Sequence, residues 1–319
     1  MSSSSFSNVI HAEIGNRWPE ILEGAYLVSF FKELEALDPL VFHNFRFLIA
    51  NKNTRFGPLL PPFSGHDVVL IWLSDEEASI PPADFCRNFR LILKSYWPLG
   101  EGVRNILPFP LCGASEVVRT EPLPWAQRKT EVFFTGNLNA NRVDFFRQFN
   151  HLRNLPPWDL PFYWQKRLYW EAILRSPIPL HRDFSDRFPD SLIAFTHAFK
   201  AGMTPAAYAQ SLATSKIAIC PPGFTSAETI RHFEAMRLGC VIVSPPLPPN
   251  PFYAGSPIVV LKNWRLLGQR LSDLLRKDGK ALKERADATF HWWRSRASPA
   301  AMANTVLRHL DSSYFTRKL

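Results

Sequence analysis

The fold class that the sequence predicts is α/β, in two domains that each carry a parallel sheet, and three observations carry that reading. Residues 215–251, SKIAICPPGFTSAETIRHFEAMRLGCVIVSPPLPPNP, read as strand, glycine turn, helix, strand and proline-rich loop; a unit of this size is a right-handed crossover between parallel strands. Two more apolar runs, Asp67–Ser74 and Glu131–Thr135, stop abruptly at acidic or glycine turns, as strands buried on both faces do. Between them Arg119–Thr130 mixes charges with two prolines and shows no periodicity, which marks a linker. The expected division is a first domain over 1–118, a linker over 119–130, a second domain over 131–300 and a C-terminal helix over 301–319.

With 319 residues, 46% hydrophobic and 20% charged, the chain has the length and composition of a soluble protein with two ordinary cores. A formal net charge of +9 favours anionic partners: nucleotide sugars, acidic glycans or phospholipid head groups. The basic residues are scattered, with clusters only near 285–296 and 317–318. That pattern argues against a nucleic-acid stripe and leaves peripheral membrane contact open. Cys86, Cys112, Cys220 and Cys240 form no Cys-x-x-Cys or Cys/His spacing, so free thiols in a reducing compartment are expected. Met1–Asn8 is polar and no apolar run approaches eighteen residues; the chain reads as cytoplasmic, with neither secretory signal nor membrane span.

In chain order, AYLVSFF (25–31) reads as a strand, KELEAL (32–37) as helix and FRFLIA (45–50) as another strand. Asp67–Ser74 is the clearest strand of the first half. It ends at Ser74-Asp75-Glu76-Glu77, which puts carboxylates at the carboxyl end of a buried parallel strand, where α/β folds bind ligands; the bland alternative is that they cap or solvate the loop. Phe89–Lys94 is a strand followed by an aromatic loop, and Asn105–Leu111 runs to the domain edge.

Glu131–Thr135 opens the second domain and ends at Gly136, before a helix, VDFFRQF. Residues 151–200 are rich in proline and aromatics; His181, Asp183 and His197 match no compact ligand motif and read as solvated loop positions. Lys216–Cys220 is a buried strand stopping at Pro221-Pro222-Gly223. Thr225 or Ser226 is the expected N-cap of the next helix, with Glu228 in its first turn and Gly239 at its end. Gly223 permits close backbone approach, and free N–H groups at Thr225–Ala227 would bind an anion such as phosphate. Arg231 and Glu234, three apart, could be no more than a surface ion pair. Cys240–Val243 and Ile258–Leu261 are strands around the extended loop PPLPPNP, Trp264–Arg285 is amphipathic, and residues 299–311 form the last helix.

SK-x-x-I-C-P-P-G followed by R-x-x-E-A-x-x-x-G-C-V-I-V resembles the donor-binding segment of exostosin-like glycosyltransferases, strongest over 208–245. The resemblance implies a GT-B fold, two Rossmann-like domains with a cleft between them, and transfer of a sugar from a nucleotide-diphosphate donor to a glycan or other hydroxyl acceptor. It further implies an inverting reaction, with the acceptor held by the first domain and the donor by the second, and a C-terminal helix that packs back on the first domain. Arg142 would clamp the diphosphate, as a guanidinium fork can, and Glu234 would hold the ribose hydroxyls. Gly136, Lys216, Gly223, Phe224, Thr225, Ser226, Glu228 and Arg231 complete the expected donor set. Asp75 or Glu76 would be the catalytic base, with Asp75 favoured because it comes directly off the strand. No Asp-x-Asp follows a strand, so neither metal nor other cofactor is expected. A non-catalytic nucleotide- or glycan-binding module of the same fold is the alternative.

Overall fold

Each half of the chain folds around its own five-stranded, all-parallel sheet. The computed structural model describes residues 6–54, 65–97, 105–149, 161, 163–164, 167, 187–196, 202–276 and 279–315. His181, Asp183 and His197 lie outside the described residues. Contacts group Met1–Arg119, Pro248–Ser256 and Trp292–Leu319 into one unit, and Thr120–Leu247 with Pro257–His291 into the other. Among the described residues no helix is long and apolar enough to cross a membrane.

The first sheet runs in sequence order: β1 (Val9–His11), β2 (Arg46–Asn51), β3 (Gly65–Leu73), β4 (Phe89–Lys94) and β5 (Ile106–Pro108). Phe47–Ala50 and Val68–Ile71 are buried without alternation, because both faces of a parallel sheet are covered. AYLVSFF, expected as a strand, lies inside helix α1 (Gly24–Leu37). Its buried residues, Tyr26, Leu27, Phe30, Phe31 and Leu34, recur with helical spacing once KELEAL is read with them. Aromatic content favoured a strand, and packing decided otherwise: Phe31 stacks edge-on to Phe47 at 5.1 Å and Tyr26 to Phe109 at 5.9 Å. Helix α1 also packs against the last helix, Pro299–Phe315, whose Met302, Ala303, Val306 and Leu310 are buried. The Tyr26 hydroxyl donates to the Ala297 carbonyl at 2.7 Å.

The second sheet has the order β10-β9-β8-β6-β7, with β6 Thr130–Asn137, β7 Leu192–Thr196, β8 Ser215–Ile219, β9 Val241–Ser244 and β10 Val259–Val260. Counted along the chain, this is fifth, fourth, third, first, second. The direction of winding therefore reverses between β6 and β8, and at such a switch point the strand carboxyl ends open a ligand crevice. Val132, Phe134, Ile217, Ile219, Val241 and Val243 form the core with Leu267 and Leu271.

Two features of this unit depart from expectation. Edge strand β7 and the helix Pro205–Ala213, whose Thr204 hydroxyl accepts from the Ala207 N–H at 3.3 Å, had no distinct sequence signal. The amphipathic stretch from Trp264 divides into helices Leu267–Arg276 and Gly279–Arg296. Within the expected linker, Arg128, 7% exposed, donates to the carbonyls of Leu123, Ser215, Leu238 and Gly239. One guanidinium thus satisfies backbone groups at the start of β8 and the end of the helix before β9.

Candidate functional site

At the switch point the two central strands part. The last pair between β6 and β8 is Phe133↔Ala218, while β6 continues to Asn137. A side chain fills the gap: Arg231 Nη2 donates to the Thr135 carbonyl, with its guanidinium 4.9 Å from the Phe134 ring centre. A second guanidinium stands on the same ring at 5.9 Å, that of Arg142. The two converge on Gly136, where an added Cβ would lie 3.1 Å from Arg142 Nη1 and 3.1 Å from Arg231 Nη2. A side chain at Gly136 would make both guanidinium groups give way by a few tenths of an ångström.

Arg142, expected to clamp a diphosphate, is 6% exposed and already braces two loops. Its Nε donates to the Pro222 carbonyl at 2.7 Å, and its Nη1 to Asn137 O at 2.8 Å and Oδ1 at 2.9 Å. Asn141 Nδ2 donates to the carbonyls of Gly223 and Phe224 at 3.1 and 2.8 Å. The loops after β6 and β8 are therefore tied into one surface at the carboxyl edge.

The helix after β8 begins later than expected. It runs Ile230–Arg237 with Thr229 as N-cap, because His232 Nδ1 accepts from the Thr229 N–H at 3.1 Å, a histidine in the role glutamate plays in a capping box. The residues before it form an irregular loop: the Gly223 N–H donates to the Ser226 carbonyl at 2.7 Å and the Glu228 N–H to Ser226 Oγ at 3.0 Å. The helix dipole thus starts at Ile230, and the expected amide cradle at Thr225–Ala227 is not a helix terminus. Phe224 and Thr225 are exposed, and Glu228 is buried.

Arg231 and Glu234 are 9% and 3% exposed, so they are not a surface ion pair. Glu234 Oε2 accepts from the Tyr208 hydroxyl at 2.8 Å. Burial and the neighbouring carboxylate push the Tyr208 phenol well above its ordinary range. Burial opposes the Arg231 charge, but Tyr208, Cys220 and Glu234 outweigh it. Burial raises the Cys220 thiol to about 12 and the Cys240 thiol to about 11, which makes both inert, protonated core groups. Lys216 does not join this set. It is the second residue of β8, about 10 Å from the carboxyl edge at the rise of a parallel strand.

In the first unit the Asp75 carboxylate, 3% exposed, accepts from Lys94 Nζ at 2.5 Å, the Ser79 N–H at 2.9 Å and Ser79 Oγ at 3.2 Å. Such a carboxylate pins the end of β3 to β4, which counts against the expected role as base; Glu76 beside it is half-buried. The chain leaves β3, β4 and β5 through Ser74, Tyr96 and Cys112, all non-glycine residues at positive φ of 59°, 55° and 65°, and strain of this kind collects at functional edges. Glu23, just before α1, reaches the same edge. Burial pushes its carboxyl up, against hydrogen bonds to its own backbone and from Ser74. Sequence reading missed Glu23 because it took this stretch for a strand. The available signal was Gly24, where a Cβ would stand 2.1 Å from the Pro19 carbonyl oxygen.

No protein-family model matches the chain, and no curated protein matches it. Among solved structures it is similar to sucrose-phosphate synthase from Thermosynechococcus elongatus, with a TM-score of 0.50 at 10% identity over 88% of this chain and 78% of that one. The fold is of the GT-B type. Two further structures lie near it: a glycosyltransferase from Rickettsia africae ESF-5 (TM-score 0.48, 8% identity, 89% and 81% coverage) and α,α-trehalose 6-phosphate synthase from Burkholderia multivorans (0.48, 12%, 92% and 76%). Within the GT-B fold of this chain, the switch point brings together buried cations, a closely approached glycine and a buried carboxylate from neighbouring elements.

Proposed function

We propose that the protein is a glycosyltransferase whose second unit holds a nucleotide-diphosphate sugar and whose first unit holds a hydroxyl-bearing acceptor, a glycan or glycoconjugate. The observation that carries the reading is the convergence of Arg142 and Arg231 on Gly136 at the switch point of the second sheet. Arg231 and the loop Gly223–Glu228 serve the diphosphate, and Glu234 serves the ribose with Tyr208 holding its second oxygen. Arg142 acts by bracing the Pro222 loop. The motif over 208–245 supports an exostosin-like enzyme and an inverting course. The acceptor hydroxyl would lose its proton to a carboxylate, Glu76 or Glu23, as it attacks the anomeric carbon, and the cations would stabilise the departing diphosphate.

One observation favours a second reading, a binding module without chemistry: the carboxylate best placed by sequence, Asp75, is committed to Lys94. Isothermal calorimetry with UDP, GDP and ADP and their hexose conjugates tests both readings. Binding of one pair is expected, and ligand at a hundred times its Kd should stabilise the fold by about 2.7 kcal/mol. Release of nucleoside diphosphate from the bound conjugate, unchanged by EDTA, would support a metal-independent transferase; binding without release would support the module. Absence of binding to every compound would overturn the proposal.

A further inference from the structure

The loop that leaves β6 carries a polar side chain without a partner. Asn139 is 3% exposed, and neither its Nδ2 nor its Oδ1 has a hydrogen-bond partner. The backbone on either side is fixed. The Leu138 N–H donates to the Thr196 carbonyl at 3.1 Å and the Arg142 N–H to the Asn139 carbonyl at 3.0 Å, while Asn137 is held through both oxygens by Arg142. The loop therefore cannot swing to satisfy the amide. An orphaned buried amide destabilises a fold, and an apolar residue of similar size at this position would not. A second orphan hangs on the strand that leads into this loop: Arg231, 9% exposed, donates to Thr135 on β6 and leaves its Nε unpartnered.

The two groups ask for different ligand chemistry. The Arg231 Nε–H needs only an acceptor, which a phosphate oxygen supplies. Asn139 needs an acceptor for Nδ2 and a donor for Oδ1. A phosphate dianion has no proton to offer and would leave Oδ1 orphaned, whereas a sugar hydroxyl both donates and accepts. We propose that Asn139 is a specificity-determining contact of the donor site, its carboxamide binding hydroxyls of the transferred sugar while Arg231 binds the diphosphate. The assignment rests on the reading of the second unit as a nucleotide-sugar site.

The test compares Asn139→Leu and Asn139→Ser with the parent protein, using whichever of UDP/UDP-glucose, GDP/GDP-mannose or ADP/ADP-glucose binds. Affinity for the nucleoside diphosphate should stay within about twofold, while affinity for the hexose conjugate falls about tenfold or more, the size of one or two lost hydrogen bonds. The ligand-free Asn139→Leu protein should melt at the same temperature as the parent or higher, since the unpaired amide is gone. Equal weakening of nucleotide and conjugate, an unchanged affinity for the conjugate, or a ligand-free melting temperature several degrees lower in both variants would each overturn the assignment. If the parent binds none of the six compounds, the reading of the second unit falls and this inference falls with it. If the parent binds a pair and the variants bind the conjugate as well as the parent does, only the role of Asn139 falls.

Discussion

Among single residues, what sequence could show was residue type and what it could not show was partnership. Carboxylates at the end of Asp67–Ser74 were visible as a run, but the Lys94 that neutralises Asp75 is nineteen positions away on the next strand. Only the register of β3 against β4, with Trp72 beside Lys94, brings the pair together. Both side chains are almost fully buried, and Lys94 Nζ also lies 4.5 Å from the Trp72 ring centre. Burial draws the Lys94 pKa down, with Asp75 opposing it. Removing one partner leaves a buried charge uncompensated, which costs about 3–5 kcal/mol. Asp75→Asn should therefore lower the urea midpoint strongly, and the fraction that remains folded should bind nucleotide normally. A stable Asp75→Asn protein with reduced turnover would return the base to Asp75. The same limit applied in the second unit, where the arginines and Glu234 were legible as candidates. Their burial against Phe134, Tyr208 and the Pro222 loop depends on contacts from other elements.

Elements were legible where periodicity was strong and poorly legible at their ends. The strands Phe89–Lys94 and Val241–Ser244 follow from continuous apolar runs, whereas the start of Ile230–Arg237 was misplaced because the partner that completes the capping box of Thr229 is a histidine. His232 Nε2 lies 2.8 Å from Ser244 Oγ, and Ser244 Oγ donates to the Pro245 carbonyl at 3.0 Å. The consistent tautomer carries its proton on Nε2 and accepts at Nδ1 from the Thr229 N–H. Burial lowers the His232 pKa to about 4 from 6.5; the bond that a protonated Nδ1 would donate to the Thr229 carbonyl opposes that shift, and Arg231 adds to it. Because the folded pKa lies below the unfolded one, the unfolded chain binds the proton first as pH falls. The stability contributed by the neutral cap is complete above pH 6.5 and is lost between about 6.5 and 4. Urea unfolding should show a loss of roughly 2 kcal/mol between pH 7 and pH 5 from this group alone. His232→Gln, which can still accept from the Thr229 N–H, should flatten that part of the profile. An unaltered profile in the variant would show that the pH response lies elsewhere.

For the molecule as a whole, two α/β units were legible because each contributes at least one long apolar strand with a sharp stop, while the spacing of the last helix assigned it to neither unit and only the family resemblance implied that it packs back on the first domain. The helix Pro299–Phe315 buries Met302, Ala303, Val306 and Leu310 within the unit that contains α1, and spacing alone names no partner for such a face. The strand order of the second sheet was equally hidden. A crossover shows that two strands are parallel, but only the placement of β6 between β7 and β8 reveals the switch point on which the functional reading depends. If the donor is held by the second unit, damage to the core between α1 and the last helix should leave nucleotide affinity intact. Leu310→Ala removes a side chain that is 1% exposed, at a cost of about 3–5 kcal/mol with little collapse of the site. The melting temperature should fall by several degrees, while calorimetry well below the transition should give the same nucleoside diphosphate Kd within about twofold. A weakened Kd in a protein still folded at that temperature would mean that the first unit contributes to the nucleotide site.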